Sequence, residues 1–411
     1  MLSRADLIAP LSLLILILYL SVEAALFRRS PKKIPFRIAV SGIRGKSSLT
    51  RLIAAGLRLA GLRVLAKTTG SRPVIIYPDG HEREIRRRGR TSVLEQKILI
   101  GHAVSERADF LVSEMMSIQP ECLKAEAKYF LKPQVMVFSN FRVDHMEFLG
   151  EDREQIARYM LEAVPPGTSV FIPEEEFRPW MVRLALKNGF ELRVVESSPD
   201  AASLAEILPY PEFEINARLA LAVLKHFGQS ADRVRKGWSV LNPDSGRPRV
   251  WKVKFSRNRS FYFVSLFAAN DPESSLMAME LVTRRLGWQE SRKIGLISLR
   301  SDRGDRTRQW AEFLKRGEAD FLDALFLMGP GARALGWKLR KWSAAAGRPL
   351  LIPAGRSPER VLEEVIKAVV DCQKKLPGME DRCLVFGLGN IGGFGCQLIE
   401  YLERTADAVR I

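Results

Sequence analysis

The chain has 411 residues, of which 46% are apolar and 27% charged, with 64 Lys and Arg against 47 Asp and Glu. This composition excludes a disordered chain, a collagen and a protein that crosses a membrane many times. The excess positive charge is concentrated from Arg28 to Arg90, where 17 basic residues face three acidic ones, so we expect an anionic partner. Four cysteines without Cys-x-x-Cys spacing exclude a zinc ribbon or a redox dithiol and favour a reducing compartment.

The first 27 residues predict a membrane anchor. Leu7 to Phe27 is a 21-residue apolar segment whose one charged residue is Glu23, and about 20 such residues span a bilayer as a helix. The segment predicts an N-terminal transmembrane helix, with a cleaved signal peptide as the alternative because Ala24 and Ala25 are small. The basic linker over residues 28–35 predicts a single-pass protein of the cell membrane whose body faces the cytoplasm.

The rest of the chain alternates apolar strands with amphipathic helices, which predicts an α/β fold with mostly parallel sheets. A central domain over residues 36–245 has predicted strands Phe36–Val40, Arg63–Lys67, Phe110–Glu114, Gln134–Ser139, Ser169–Ile172 and Glu191–Val195, helices Lys46–Ala60, Ser92–Ser105, Glu121–Phe130 and Asp152–Ala163, and a hairpin over Val74–Ile85.

A cluster of helix- and strand-breaking residues in Leu241–Pro248 predicts a linker between two domains. The second α/β domain, over residues 246–411, has predicted strands Val250–Phe255, Phe261–Leu266, Ile294–Ser298, Ala324–Leu327, Leu350–Ile352 and Cys383–Phe386, separated by helices such as Ser274–Leu286 and Pro358–Gln373. We expect it to be Rossmann-like.

The segment Ser41-Gly-Ile-Arg-Gly-Lys-Ser-Ser48 lies directly after a predicted strand and before a predicted helix. In that position backbone N–H groups and the helix N-terminus converge on one point, which is typical of a phosphate-binding P-loop. Lys46 would reach the β- and γ-phosphates of a nucleotide, and Ser47 would hold Mg²⁺. Val40 occupies the place of the first glycine in the standard P-loop, so the motif is a variant.

Two further residues come at or just after the ends of predicted strands. Glu114 ends one strand, and His145 follows another after the segment Ser139-Asn-Phe-Arg-Val-Asp144. Because ligands of open parallel sheets gather beyond the carboxyl ends of the strands, we expect both side chains near Lys46 and Ser47. A carboxylate there suits Mg²⁺, which prefers oxygen ligands.

These segments resemble the Mur ligase superfamily, and within it the ATP-dependent ligase subunit of poly-γ-glutamate synthase, the PgsB/CapB type. The resemblance extends over nearly the whole chain. It rests on the P-loop and on the segments Ala66–Gly70, Ser113–Glu121, Ser139–His145, Asn216–Ala220, Ala268–Ser274, Arg303–Arg306 and Gly387–Gly392.

The resemblance implies a P-loop Mur-ligase-like domain followed by a second α/β ligase domain, which join a carboxylate to an amine through an acyl phosphate with ATP and Mg²⁺. It also implies the following site residues. Nucleotide contacts would come from Gly42, Arg44, Gly45, Lys46, Ser47, Ser48, Asn216, Asn270, Asp271, Arg303, Asp305 and Arg306; metal ligands would be Ser47, Glu114 and His145; and the catalytic residues would be Lys46, Glu114 and His145.

The chain departs from the superfamily pattern at two places. Many Mur ligases place a carbamylated lysine at a second metal shortly after the histidine, but this sequence has no lysine between His145 and Lys187, which leaves Arg158 or no residue. An aspartate and a histidine that the superfamily often carries in the second domain are replaced by Phe267 and Asn270.

The glycine-rich segment Gly387–Gly392 is also typical of a dinucleotide-binding turn. That fold needs a further strand carrying an acid about 20 residues later. Asp407 stands at this distance, but the chain stops at Ile411 and leaves no room for the strand. We therefore expect a turn that packs a helix against the sheet.

The function expected from the resemblance is a ligase that extends poly-γ-glutamate, with glutamate, the polymer, the membrane and small membrane subunits as partners and no nucleic acid. An alternative is a P-loop ATPase that drives assembly or transport of an envelope complex. A basic scaffold with a degenerate nucleotide site is a third hypothesis, which the intact Lys46, Ser47 and Glu114 disfavour.

Overall fold

A computed structural model describes residues 4–70, 73–87, 91–144, 146–150, 152–239, 241, 247–257, 259–339, 349–353, 357–374 and 383–409. His145 and the proposed domain boundary at residues 245 and 246 lie outside the described residues. The described residues divide into two compact units. One comprises the residues up to Ala201 together with Ile215–Trp238, and the other comprises Ala202–Glu214 and the residues from Ser239 onward.

The strands are β1 (Phe36–Ser41), β2 (Val64–Thr68), β3 (Val74–Ile76), β4 (Glu82–Glu84), β5 (Phe110–Glu114), β6 (Val135–Phe138), β7 (Ser169–Pro173), β8 (Glu191–Val195), β9 (Arg249–Ser256), β10 (Arg259–Ser265), β11 (Arg292–Ser298), β12 (Ala324–Met328), β13 (Leu350–Leu351), β14 (Cys383–Gly389) and β15 (Asp407–Val409).

The helices are α1 (Arg4–Arg29), α2 (Lys46–Arg58), α3 (Glu95–Ser105), α4 (Pro120–Lys124), α5 (Met146–Leu149), α6 (Arg153–Glu162), α7 (Trp180–Asn188), α8 (Pro199–Glu206), α9 (Glu214–His226), α10 (Ala231–Trp238), α11 (Pro272–Leu286), α12 (Gly304–Lys315), α13 (Ala332–Lys338), α14 (Pro358–Lys374) and α15 (Cys396–Thr405). Helix α4 continues as a π-helix over Ala125–Leu131. A kinked segment, Ile391–Gly395, with non-helical backbone at Gly392 and Gly393, precedes α15.

The first unit contains an eight-stranded sheet in the order β4-β3-β2-β5-β1-β6-β7-β8. The strands from β2 to β8 in this order are parallel, and β3 and β4 add an antiparallel edge. Strand β1 lies between β5 and β6, with Val40 opposite Glu114 and Ser41 opposite Phe138. The carboxyl ends of these three strands therefore meet at one edge of the sheet, and the expectation of an α/β fold with parallel sheets is confirmed.

Helix α2 is fixed by close contacts with two later helices. Gly56 lies so near α9 that a Cβ there would stand 2.4 Å from Leu224 Cδ1. The buried indole of Trp238, at the end of α10, donates from Nε1 to the carbonyl of Leu52 at 3.0 Å. Because these contacts hold the middle of α2, its first turn has a defined position at the end of β1.

The second unit contains a seven-stranded sheet in the order β13-β12-β11-β14-β10-β9-β15. It is parallel from β13 to β10, and β9 and β15 run antiparallel to their neighbours. Asp407 does lie in a short strand, contrary to the sequence analysis, but this strand pairs with β9 at the far edge of the sheet. A dinucleotide site would need that acid on a strand beside β14, so its position does not match one.

The predicted transmembrane helix is overturned. Among the residues that the structure describes, no helix is long and apolar enough to cross a membrane, which also corrects the assignment of residues 1–27 as a membrane anchor. Helix α1 contains Pro10, and Glu23 near its end forms an ion pair with Lys97 of α3. Phe27 packs against Phe130 with 5.4 Å between ring centroids. The end of α1 is thus fixed by charged and aromatic contacts to the rest of the first unit.

Candidate active site

The phosphate cradle is the loop Gly42–Gly45 between β1 and α2. Gly42 has φ +117° and Gly45 has φ +80°, values that side-chain-bearing residues rarely adopt. A Cβ at Gly42 would also lie 2.2 Å from Ser139 Oγ, and one at Gly45 would lie 2.7 Å from Asn216 Oδ1. Both glycines are therefore required by backbone conformation and by space, and Asn216 of α9 lies directly against the loop.

The segment that follows β6 clamps the cradle from the side. Ser139 Oγ donates to the carbonyl of Arg44 at 2.5 Å, and Asn140 both donates to that carbonyl at 3.0 Å and accepts from the Arg44 N–H at 3.2 Å. The Arg44 guanidinium forms an ion pair of 2.9 Å with Asp144, whose side chain is 2% exposed. Four contacts thus hold the one residue at the middle of the loop.

Lys46 begins α2 and folds its side chain back over the cradle. Its Nζ donates to the carbonyl of Gly42 at 2.8 Å and to that of Ile43 at 3.3 Å. Burial lowers the pKa of Lys46, and the negative charge of Glu114 opposes this effect. An anion bound at the N-terminus of α2 would find this ammonium within the loop, together with the N–H groups of the first helical turn. Ser48 lies half-buried in the same turn.

Glu114 ends β5 and is only 2% exposed. Its carboxylate accepts hydrogen bonds from Ser47 Oγ at 2.7 Å, from Thr69 Oγ1 at 2.5 Å and from the Thr69 N–H at 2.7 Å. Ser47 and Glu114, predicted as metal ligands from positions 67 residues apart, therefore meet at the edge of the sheet.

The donor set fits a hard divalent cation. A hydroxyl and a carboxylate oxygen in contact are ligand types that Mg²⁺ prefers, and Mg²⁺ commonly takes one or two protein carboxylates with water and phosphate oxygens completing the shell. Within the described ranges, no group of three or more His, Cys, Asp and Glu residues could hold a metal. The predicted contribution of His145 falls on a residue outside those ranges and stays a prediction.

Arg158 was the residue considered in place of the lysine that many Mur ligases bring to a second metal. Its contacts lie on the protein surface. Its guanidinium lies 4.2 Å from the ring centroid of Trp180 and forms an ion pair of 2.7 Å with Glu154 one turn earlier on α6. Half of its side chain is exposed. Arginine also remains protonated in proteins, so neither its chemistry nor these contacts suit a metal ligand.

The predicted residues of the second unit lie near the carboxyl ends of its strands. Asn270 has a positive φ of 65°, and its carbonyl accepts from Trp310 of α12 at 3.3 Å. Asp271 caps α11, because its Oδ1 accepts from the N–H of Ser274 at 2.8 Å. This contact is the helix-capping interaction that lowers the free energy of many helices by about 1 kcal/mol.

The other three predicted residues meet at the start of α12. Arg303 and Asp305 form an ion pair of 3.1 Å, which holds the pKa of Asp305 below its usual range against the opposing effect of burial. Arg306 is buried and donates to Asn390 Oδ1 at 2.9 Å, and Asn390 Nδ2 in turn donates to the carbonyl of Ser298 at 3.3 Å. Arg306 therefore links α12 to the ends of β11 and β14.

Sequence analysis did not select several residues that the geometry brings to the cradle. Ser139, Asn140 and Thr69 stand in or beside the motifs already quoted, so their position was a usable signal. No sequence motif marked Glu176. It follows β7, its carboxylate accepts a hydrogen bond from the Phe141 N–H, and burial raises its pKa. It therefore anchors the segment that contains Asn140.

Comparison with known families and proteins agrees with this geometry. The Mur ligase middle domain matches residues 40–176, and the poly-gamma-glutamate synthase CapB C-terminal domain matches residues 250–405. The capsule biosynthesis protein CapB of Bacillus anthracis is 27% identical over 400 residues, which cover 94% of this chain and 80% of that protein. The PGA synthase CapB of Bacillus subtilis (strain 168) is 28% identical over 383 residues, covering 92% and 93%.

Solved structures share the fold at lower identity. A bifunctional folylpolyglutamate synthase/dihydrofolate synthase from Yersinia pestis, complexed with AMPPNP and Mn ion, gives a TM-score of 0.63 at 16% identity over 93% of this chain and 91% of that one. MurF from Acinetobacter baumannii gives 0.59 at 15% identity, over 92% and 79%. Family models match both large segments of this chain, and two relatives align over more than nine-tenths of it. The chain belongs to the Mur ligase superfamily as a member of the CapB type.

Proposed function

We propose that the protein is an ATP-dependent amide ligase that forms γ-glutamyl bonds and makes poly-γ-glutamate. The observation that carries the proposal is the joint presence of the cradle, Lys46 and the Ser47–Glu114 pair in a chain of the CapB type. Relatives named as a capsule biosynthesis protein and a PGA synthase support the substrate class. The basic segment between Arg28 and Arg90 suits an anionic polymer.

In the proposed reaction a glutamyl carboxylate oxygen attacks the γ-phosphorus of ATP, and the bond from that phosphorus to the bridging oxygen of ADP breaks. The amine of the incoming glutamate then attacks the acyl carbon, the carbon–oxygen bond to phosphate breaks, and the amine loses a proton. Cradle N–H groups and Lys46 would bind the phosphates and oppose the negative charge on the transferred group. Ser47 and Glu114 would hold a divalent cation, which neutralises phosphate charge when bound.

The finer assignments are part of the same proposal. The folylpolyglutamate synthase structure named above contains Mn, and we propose Mg²⁺ as the working ion because the described donors are oxygens. Since the reaction consumes ATP, we propose that the catalytic body works in the cytoplasm. We further propose small membrane subunits as partners in polymer synthesis and export.

Transfer of oxygen tests the proposal directly. Glutamate or polymer with heavy oxygen in its carboxyl groups is incubated with the full chain, ATP and Mg²⁺, and the released phosphate is analysed by mass spectrometry. We expect one heavy oxygen in phosphate for each amide bond formed. Amide formation with unlabelled phosphate would contradict the acyl-phosphate route. ADP release at a rate that does not depend on glutamate would favour the alternative, an ATPase that drives assembly or transport of an envelope complex.

Arg158→Ala is expected to change little. The side chain stacks on Trp180 and pairs with Glu154 on an exposed helix face, where such contacts contribute about 1 kcal/mol or less. Glutamate-dependent ADP release should stay within about twofold of the wild-type rate, as for substitutions outside the site. A loss of metal-dependent activity with an unchanged melting temperature would instead indicate that Arg158 takes part in the metal site.

A further inference from the structure

A second buried carboxylate lies behind the metal-binding edge. Glu126, on the π-helical segment that extends α4, is fully buried. Its Oε1 accepts from the Met116 N–H at 3.2 Å, and its Oε2 accepts from the Ser117 N–H at 3.0 Å. Met116 and Ser117 are the second and third residues after Glu114. The Glu126 side chain therefore fixes the backbone directly after the end of β5.

Glu126 is also connected to β5 from the other side. Gln96 of α3 donates from Nε2 to Glu126 Oε1 at 2.5 Å, and Gln96 Oε1 accepts from Ser113 Oγ at 3.1 Å. Ser113 and Gln96 are both fully buried. The chain of hydrogen bonds thus runs from Glu126 through Gln96 to the residue before Glu114, and its ends enclose Glu114 on both sides along the backbone.

The charge of Glu126 is balanced within the same region. The Nζ of the buried Lys67 lies 3.6 Å from Glu95 Oε2, and among the described residues it has no hydrogen-bond acceptor. Burial lowers the pKa of Lys67, and Glu126 is the carboxylate that most strongly opposes this effect. Lys67 therefore places a positive charge in the region of Glu95 and Glu126, which lowers the cost of burying carboxylates there.

We propose that Glu126 is a positioning residue that fixes Glu114 for the divalent cation by binding the Met116 and Ser117 N–H groups and, through Gln96, Ser113. The inference rests on the proposed function, because it assigns a structural support to the proposed metal site. Groups that orient metal ligands change metal affinity when they are removed, commonly by about 10–100-fold. A carboxylate is needed because both of its oxygens accept hydrogen bonds. A glutamine amide has only one acceptor oxygen, and its NH₂ group would face a neighbouring N–H donor.

The test measures binding of Mn²⁺ to the full chain in the presence of AMPPNP. The electron paramagnetic resonance signal of free Mn²⁺ is the readout. Glu126→Gln is compared with the wild type and with Glu106→Gln, a matched change at a half-buried residue that follows α3 and pairs with Arg63. We expect Glu126→Gln to raise the Kd for Mn²⁺ by about 10–100-fold and Glu106→Gln to leave it unchanged. Melting temperature and metal-free AMPPNP binding serve as the readouts of a general structural defect.

Each outcome bears on one of the two proposals. If the wild type does not bind Mn²⁺ with AMPPNP, the metal part of the proposed function fails. If the wild type binds Mn²⁺ and a folded Glu126→Gln binds it equally well, the role of Glu126 is overturned. Should Glu126→Gln fail to fold, Ser113→Ala removes one end of the hydrogen-bond chain with less disturbance. A raised Mn²⁺ Kd then supports the inference, and an unchanged one overturns it.

Discussion

Replacing Lys46 with alanine is expected to lower kcat/KM for ATP by about a thousandfold, the loss typical of removing a charged group that stabilises developing negative charge. Lys46 is the ammonium group at the cradle, where its Nζ already lies 2.8 Å from the Gly42 carbonyl. Lys46→Arg should not restore the rate, because a planar guanidinium cannot replace a compact ammonium in a buried loop. Initial rates of glutamate-dependent ADP release over a range of ATP concentrations measure the effect.

A matched control is Lys187→Ala, which removes an exposed lysine at the end of α7. Its rate and its melting temperature should equal those of the wild type. If Lys46→Ala keeps kcat/KM within tenfold of the wild type while remaining folded, the phosphate role of this cradle is contradicted.

Gly42→Ala is expected to destabilise the first unit and to abolish nucleotide binding. A side chain at φ +117° carries backbone strain of about 1–3 kcal/mol, and the new Cβ would stand 2.2 Å from Ser139 Oγ and 2.9 Å from the Ser139 backbone nitrogen. Overpacking of this kind typically adds about 1–3 kcal/mol. The backbone nitrogen cannot move aside as a flexible side chain would, so the loop itself must shift.

Gly61→Ala separates strain from crowding. Gly61 also has a positive φ, +81°, but a Cβ there meets no atom within 4 Å in the described part of the chain. We expect a loss of about 1–2 kcal/mol from strain alone and unchanged binding of a fluorescent ATP analogue. Thermal melting and a binding titration of both variants provide the comparison, and equal losses in the two would show that contact with Ser139 contributes nothing.

Elements with a strong local pattern were predictable from the sequence. The buried run Phe110–Glu114 gives β5 its observed bounds, and the glycines and lysine after β1 mark the strand-to-helix turn where α2 begins. The rule that parallel strands present their carboxyl ends at one edge also led to the contact between Ser47 and Glu114. These inferences use only short-range periodicity and sheet topology.

Other features depend on contacts that no local pattern encodes. Glu126 is directed inward from a π-helix, whose side-chain spacing differs from the α-helical repeat used to interpret sequences. Asp271 caps α11, and its assignment to the nucleotide, which rests on its motif, stays a prediction. An apolar stretch near the N-terminus satisfied a length criterion for a bilayer, but length carries no information about the ion pair of Glu23 with Lys97.

The last described strand, β15, has a consequence for how the second unit behaves beside copies of itself. Strand β9 carries Trp251 and Val250, and without β15 its outer row of N–H and C=O groups would be available to any extended segment. Such open borders are templates for intermolecular strand addition. Three residues, Asp407–Val409, pair with Val250–Lys252 and cover that part of the border, and the exposed ion pair of Asp407 with Lys254 adds charge beside it. A tag or fusion that displaced this strand would therefore open part of β9 to intermolecular pairing and lower solubility.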